Sequence, residues 1–91
     1  MAKRSIGNYS RIQNVSSIQT VKSSAAVLHR IVLSNAAGAA ATLTLTDGST
    51  VVNVLNIAAL GSAVFDLGIN FSTSLKVTPS ASTVDVVVIY T

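Results

Sequence analysis

Thr42-Leu43-Thr44-Leu45-Thr46-Asp47-Gly48-Ser49-Thr50-Val51-Val52-Asn53-Val54-Leu55-Asn56-Ile57 is the stretch that decides the fold class. Leu43 and Leu45 alternate with Thr42, Thr44 and Thr46, the period of two that marks a strand with one buried face and a threonine outer face. Asp47-Gly48 follows; both residues tolerate positive φ, as a tight hairpin turn requires. Val51 to Ile57 is the return strand. A helix over residues 50–60 competes, because Val51, Val52, Val54, Leu55 and Ala58 also fit helical spacing. Three valines, an isoleucine and two asparagines favour the strand.

Period two extends outward in both directions from this hairpin. Val27, His29, Ile31 and Leu33 share one strand face, with Leu28, Arg30 and Val32 on the other. Residues 34–38, Ser-Asn-Ala-Ala-Gly, break that strand. After Gly61, residues 63–67 form another strand. Residues 68–71 read as a connecting loop whose Phe71 plugs the core, and residues 74–78 as a short strand ended by Pro79. The last strand, residues 83–91, is apolar on both faces from Val86 onward, so it is either central in a sandwich or covered by another chain. Strands at eight- to twelve-residue spacing with Gly, Asp, Asn, Ser and Pro turns predict an all-β fold: one antiparallel β-sandwich, jelly-roll-like, or a small barrel.

The chain has 91 residues, of which 10% are charged and 49% apolar. Ordinary domains devote about a quarter of their residues to charge. Lys3, Arg4, Arg11, Lys22 and Arg30 all precede the first acid, Asp47, whereas the remainder sets Lys76 against Asp47, Asp66 and Asp85. Residues 1–24, polar and basic with isolated apolar residues, read as an extended N-terminal arm ahead of a β-sandwich domain over residues 25–91. Lys3, Arg4, Tyr9, Arg11, Ile12, Val15, Ile18 and Val21 are its candidate partner contacts, the apolar ones as plugs in a strand added to a neighbour's edge. Val86, Val88 and Tyr90 are the candidate oligomer interface.

Catalytic machinery is not expected. No nucleophile elbow, phosphate loop or dinucleotide fingerprint occurs. His29 stands alone and reads as a packed or interface residue. Asp66 and Asp85 read as charges that pair with Arg30 or Lys76 or guard an edge, and Asp47 as a turn residue. Without cysteine, and with one histidine and three aspartates, neither disulfide, metal nor other cofactor is expected. A small domain without such staples usually relies on oligomerisation. Lys3 and Arg4 lead into polar sequence, so no signal peptide is expected, and the uncharged windows at 31–46 and 48–65 alternate as strands rather than spanning a membrane.

Several segments together carry a resemblance: Leu28-His29-Arg30-Ile31-Val32-Leu33-Ser34-Asn35, Asp47-Gly48-Ser49, Phe65-Asp66-Leu67, Phe71-Ser72-Thr73-Ser74-Leu75-Lys76-Val77 and Asp85-Val86-Val87-Val88-Ile89-Tyr90. Residues 28–90 resemble the short all-β virion structural proteins of tailed bacteriophages, in particular capsid decoration (cement) proteins. The resemblance implies a trimer or dimer on the capsid exterior, with an N-terminal arm gripping the major capsid protein or another virion protein. A tail, baseplate or fibre component is the alternative, and a nucleic-acid-binding module that uses the basic arm ranks below both.

Overall fold

The computed structural model describes residues 8–13 and 16–91. These residues form eight strands and no helix: β1 (Asn8–Ile12), β2 (Gln19–Lys22), β3 (Ala26–Asn35), β4 (Ala41–Asp47), β5 (Thr50–Ile57), β6 (Ser62–Phe71), β7 (Leu75–Pro79) and β8 (Val84–Tyr90). One sheet has the order β1-β8-β3-β6 and the other β2-β7-β4-β5, with every pairing antiparallel. Only the β4–β5 connection stays within one sheet; every other one crosses between them. The sandwich expected from the spacing of strands and turns is therefore present.

Alternation decides which side chains meet between the sheets. Leu28, Ile31, Leu33, Val86 and Val88 from the first sheet face Leu43, Leu45, Leu55, Ile57, Leu75 and Val77 from the second, all buried. Burying one such side chain contributes about 1.5–3 kcal/mol, so this layer is the main source of stability. Phe71 is buried at one end of the core, the plug expected from sequence.

β1 and β2 do not form a separate arm. β1 pairs with β8 and β2 with β7, so each becomes an edge strand of its own chain's sandwich. Ile12 is buried in the core and Val21 is half-buried against it. Two of the plugs expected for a partner, Ile12 and Val21, thus fill the chain's own fold, because β8 and β7 offered the nearest open edges, whereas Ile18 is exposed. Lys3, Arg4 and Val15 lie outside the described residues.

Three local readings also change. Opposite β6, Leu28 pairs with Ile69 and Arg30 with Asp66, so His29 faces both Leu67 and Gly68. Gly68, at φ +64°, supplies the left-handed residue of this bulge, and β6 continues as strand through Phe71 instead of becoming a loop. The same bulge shifts the phase of β3: Leu28 points inward, and His29 joins Arg30 outside. The hairpin turn sits one residue later than Asp47-Gly48 suggested. Asp47 pairs with Thr50, leaving Gly48 at φ +62° as the first of two turn residues.

Candidate interaction surfaces

The β3–β4, β5–β6 and β7–β8 connections, residues 36–40, 58–61 and 80–83, lie at the end of the sandwich where β3 finishes. Gln13 and residues 16–18, between β1 and β2, lie at this end too. Their sequences, Ala-Ala-Gly-Ala-Ala, Ala-Ala-Leu-Gly, Ser-Ala-Ser-Thr, Gln and Ser-Ser-Ile, contain no charged residue. The opposite end carries Lys22 and Asp47.

Asn35 organises this end. It is only 3% exposed, and its side chain uses both its donors and its acceptor. Its amide donates to the carbonyls of Ala39 at 2.9 Å and Ala58 at 3.3 Å. Its oxygen accepts from the Ala37 amide at 3.0 Å and from the Thr83 hydroxyl at 3.3 Å. One buried side chain thus touches all three connections. Backbone bonds reinforce the same ties: Asn35 N–H to the Gly61 carbonyl at 2.8 Å, Leu60 N–H to Ala37 at 2.9 Å and Ala36 N–H to Thr83 at 3.3 Å. A satisfied buried network of this kind holds loops in one arrangement, which lowers the ordering cost of binding.

Leu60 is the anomaly on this rigid end. It is 74% exposed and sits at φ 53°, a left-handed conformation that costs a bulky L-residue roughly 1–2 kcal/mol. Glycine would relieve the strain, and burial gives leucine no compensation. Ala36, Ala39, Ala40, Ala58 and Ala59 are exposed around it. The result is a small-residue, uncharged surface with one protruding apolar side chain, chemistry suited to close contact with another uncharged surface.

The outer face of the first sheet is a second unusual surface. One cross-strand row reads Arg11, Val87, Val32, Val64, and the next Tyr9, Ile89, Arg30, Asp66. A solvated sheet face is normally polar. Here Tyr9 is 75% and Val64 59% exposed, with Val32, Val87 and Ile89 half-exposed between them. The Arg11 guanidinium donates to Asp85 at 2.7 and 3.2 Å, and Arg30 pairs with Asp66. Arg30–Asp66 matches the expectation from sequence, whereas Asp85 takes Arg11 because β1 lies beside β8. Hydrogen bonding to Arg11 holds the Asp85 carboxyl below its ordinary pKa.

The interface expected on β8 falls on the wrong side of the strand. Val86 and Val88 are fully buried in the chain's own core, and Tyr90 is half-buried at its rim. Val87 and Ile89 are the outward pair, as the period of two requires once β8 lies between β1 and β3. Of the other candidates, Ile18 is exposed at the loop end, and Tyr9 and Arg11 lie on the sheet face.

Asp47 does more than turn the chain. Its carboxylate accepts from the amides of Ser72, Thr73 and Ser74 at 2.9, 2.8 and 3.2 Å, and from the Ser72 hydroxyl at 3.1 Å. These bonds, led by the Ser72 and Thr73 amides, lower its pKa to about 2. His29 is exposed at the bulge, its Nε2 2.9 Å from the Thr91 hydroxyl. Among the described residues, no cluster of three or more metal-ligating side chains forms. Two surface depressions, of about 340 and 400 Å³, are lined mainly by small, apolar and hydroxyl-bearing residues, with Asp85 as the only charge.

Sequence had offered no reason to single out Asn35 and Leu60. Asn35 looked like one more strand-breaking residue before Ala-Ala-Gly, and nothing local announces its burial. Comparison of the chain with protein-family models, curated proteins and solved structures finds no match.

Proposed function

We propose that the protein is a non-enzymatic structural component of a tailed-phage virion, of the capsid decoration type. On this reading it docks on the major capsid protein, or on another virion protein, at the particle exterior. The contact surface is the loop end around Leu60. The observation that carries the reading is the pairing of Asn35, which fixes three uncharged connections, with Leu60, held exposed and strained at their tip.

Two further features support it. The order β1-β8-β3-β6 against β2-β7-β4-β5 reads as a double-sheet jelly roll, an architecture used by many viral capsid proteins. Fold alone does not assign function, so the weight rests on the loop end. Arg11 and Arg30 are already neutralised by Asp85 and Asp66, which favours a protein partner over nucleic acid. A tail or baseplate location would use the same loop end against a different partner.

The test mixes purified protein with particles of the encoding phage that lack it, then sediments them. Wild-type chain is expected to co-sediment at a fixed copy number, and the Leu60→Asp variant to stay in the supernatant while remaining folded. Equal binding of both proteins, or binding of neither, would overturn the reading.

A further inference from the structure

We infer that the outer face of the first sheet is the contact through which two copies of this chain pair face to face. The geometry of its two central rows supplies the argument. A two-fold axis parallel to the strands, passing between β8 and β3, lays β8 of one copy over β3 of the other and β1 over β6. Val87 then rests on Val32 of the second copy, and Arg11 on Val64 of the second copy. In the next row Ile89 covers Arg30 of the second copy and Tyr9 covers Asp66. Asp85 lies over Ser34. No two like charges are opposed, and the face carries as many cations as anions, each cation already paired within its own copy.

The occupant is a second copy because the face is complementary to itself in this way. The outer face of the other sheet differs at its centre, where Thr20, Lys76, Thr78, Thr42 and Thr44 make it polar; its exposed apolar residues, Val51, Val52 and Val54, are confined to β5 at the edge. Area sets the strength. Four strands about 4.8 Å apart, aligned over the five residues of β1, present roughly 350 Å² in projection, under half of one partner's share in a standard interface. The dimer is therefore weak, populated only within a range from about micromolar to about millimolar protein. On a particle surface, where copies are held close together, a contact of that strength is occupied.

Sedimentation velocity from about 5 μM to about 1 mM, spanning that range, tests the proposal. Wild type is expected to shift from monomer to dimer. Val64 faces Arg11 of the second copy, so Val64→Lys should weaken the dimer at least about tenfold relative to Val64→Asp. Val64 is exposed, so both variants should melt with wild type. A wild-type chain that stays monomeric throughout would overturn the proposal, as would equal dissociation constants for the two variants. So would a dimer broken by Val52→Lys on the β5 edge but not by Val64→Lys. Particle binding does not enter this measurement, so it can fail while the docking of the loop end stands, and the reverse.

Discussion

Replacing Asn35 with alanine removes four side-chain hydrogen bonds, to Ala39, Ala58, Ala37 and Thr83. A net bond is worth about 0.5–1.5 kcal/mol, for a gross loss of roughly 2–6 kcal/mol. Ala39, Ala58 and Thr83 are exposed, so water recovers part of their bonding, whereas the Ala37 amide is half-buried. The expected cost is therefore in the lower part of that range, about 2–3 kcal/mol. A domain of this size has roughly 5–10 kcal/mol in total, so the variant folds but melts about 10–20 °C lower. Urea and thermal unfolding followed by circular dichroism measure the loss. Amide exchange should show where it falls: Ala37 and Leu60 should exchange faster in the variant, while Val77 and Val88 track global stability. Asn35→Asp should cost more, since it places a carboxylate against the Ala39 and Ala58 carbonyls. A loss below about 0.5 kcal/mol, or exchange at Ala37 and Leu60 that changes only in step with the core, would refute the role given to Asn35.

Asp47 titrates near 2 in the fold against an ordinary 3.8, so the stability it contributes is complete above pH 4 and is lost as pH falls through 2; Asp47→Asn should flatten the decline in stability across that window, read by urea midpoints at successive pH values. Leu60→Gly should raise stability by up to about 1 kcal/mol by relieving the positive φ, yet weaken particle binding, opposite signs that a purely structural leucine would not give. Phe71→Ala should cost about 3–5 kcal/mol in denaturant unfolding, since the ring is almost fully buried. Gly68→Ala should cost about 1 kcal/mol, because Gly68 adopts φ +64° in open space and only backbone strain changes.

The sandwich was legible because its signals are local. The alternation of Leu43 and Leu45 with threonines, the Asp47-Gly48-Ser49 punctuation and the valine run of β8 each report period and turn without knowledge of neighbours. Pairing is what sequence could not supply. Tyr9 and Arg11 look the same in a free arm and in an edge strand; only the open edge of β8 distinguishes them. The bulge at His29 and Gly68 reverses the inward face halfway along β3, and strict alternation cannot anticipate that. Because β8 is apolar on both faces, its sequence marks Val86 and Val88 as readily as Val87 and Ile89 for an interface, and only its position between β1 and β3 decides which face is outside. Asn35 and Leu60 were invisible for a related reason: burial and backbone strain are properties of the assembled loops.

The most direct test of the docking account is an amide-exchange footprint of the protein bound to the virion particles that the proposal names as its partner. The account predicts slowed exchange at residues 36–40, 58–61 and 80–83, centred on Leu60, with residues 48–49 and 72–74 at the opposite end unchanged. Protection confined to that opposite end, or spread over the threonine face of β4 and β7, would contradict it.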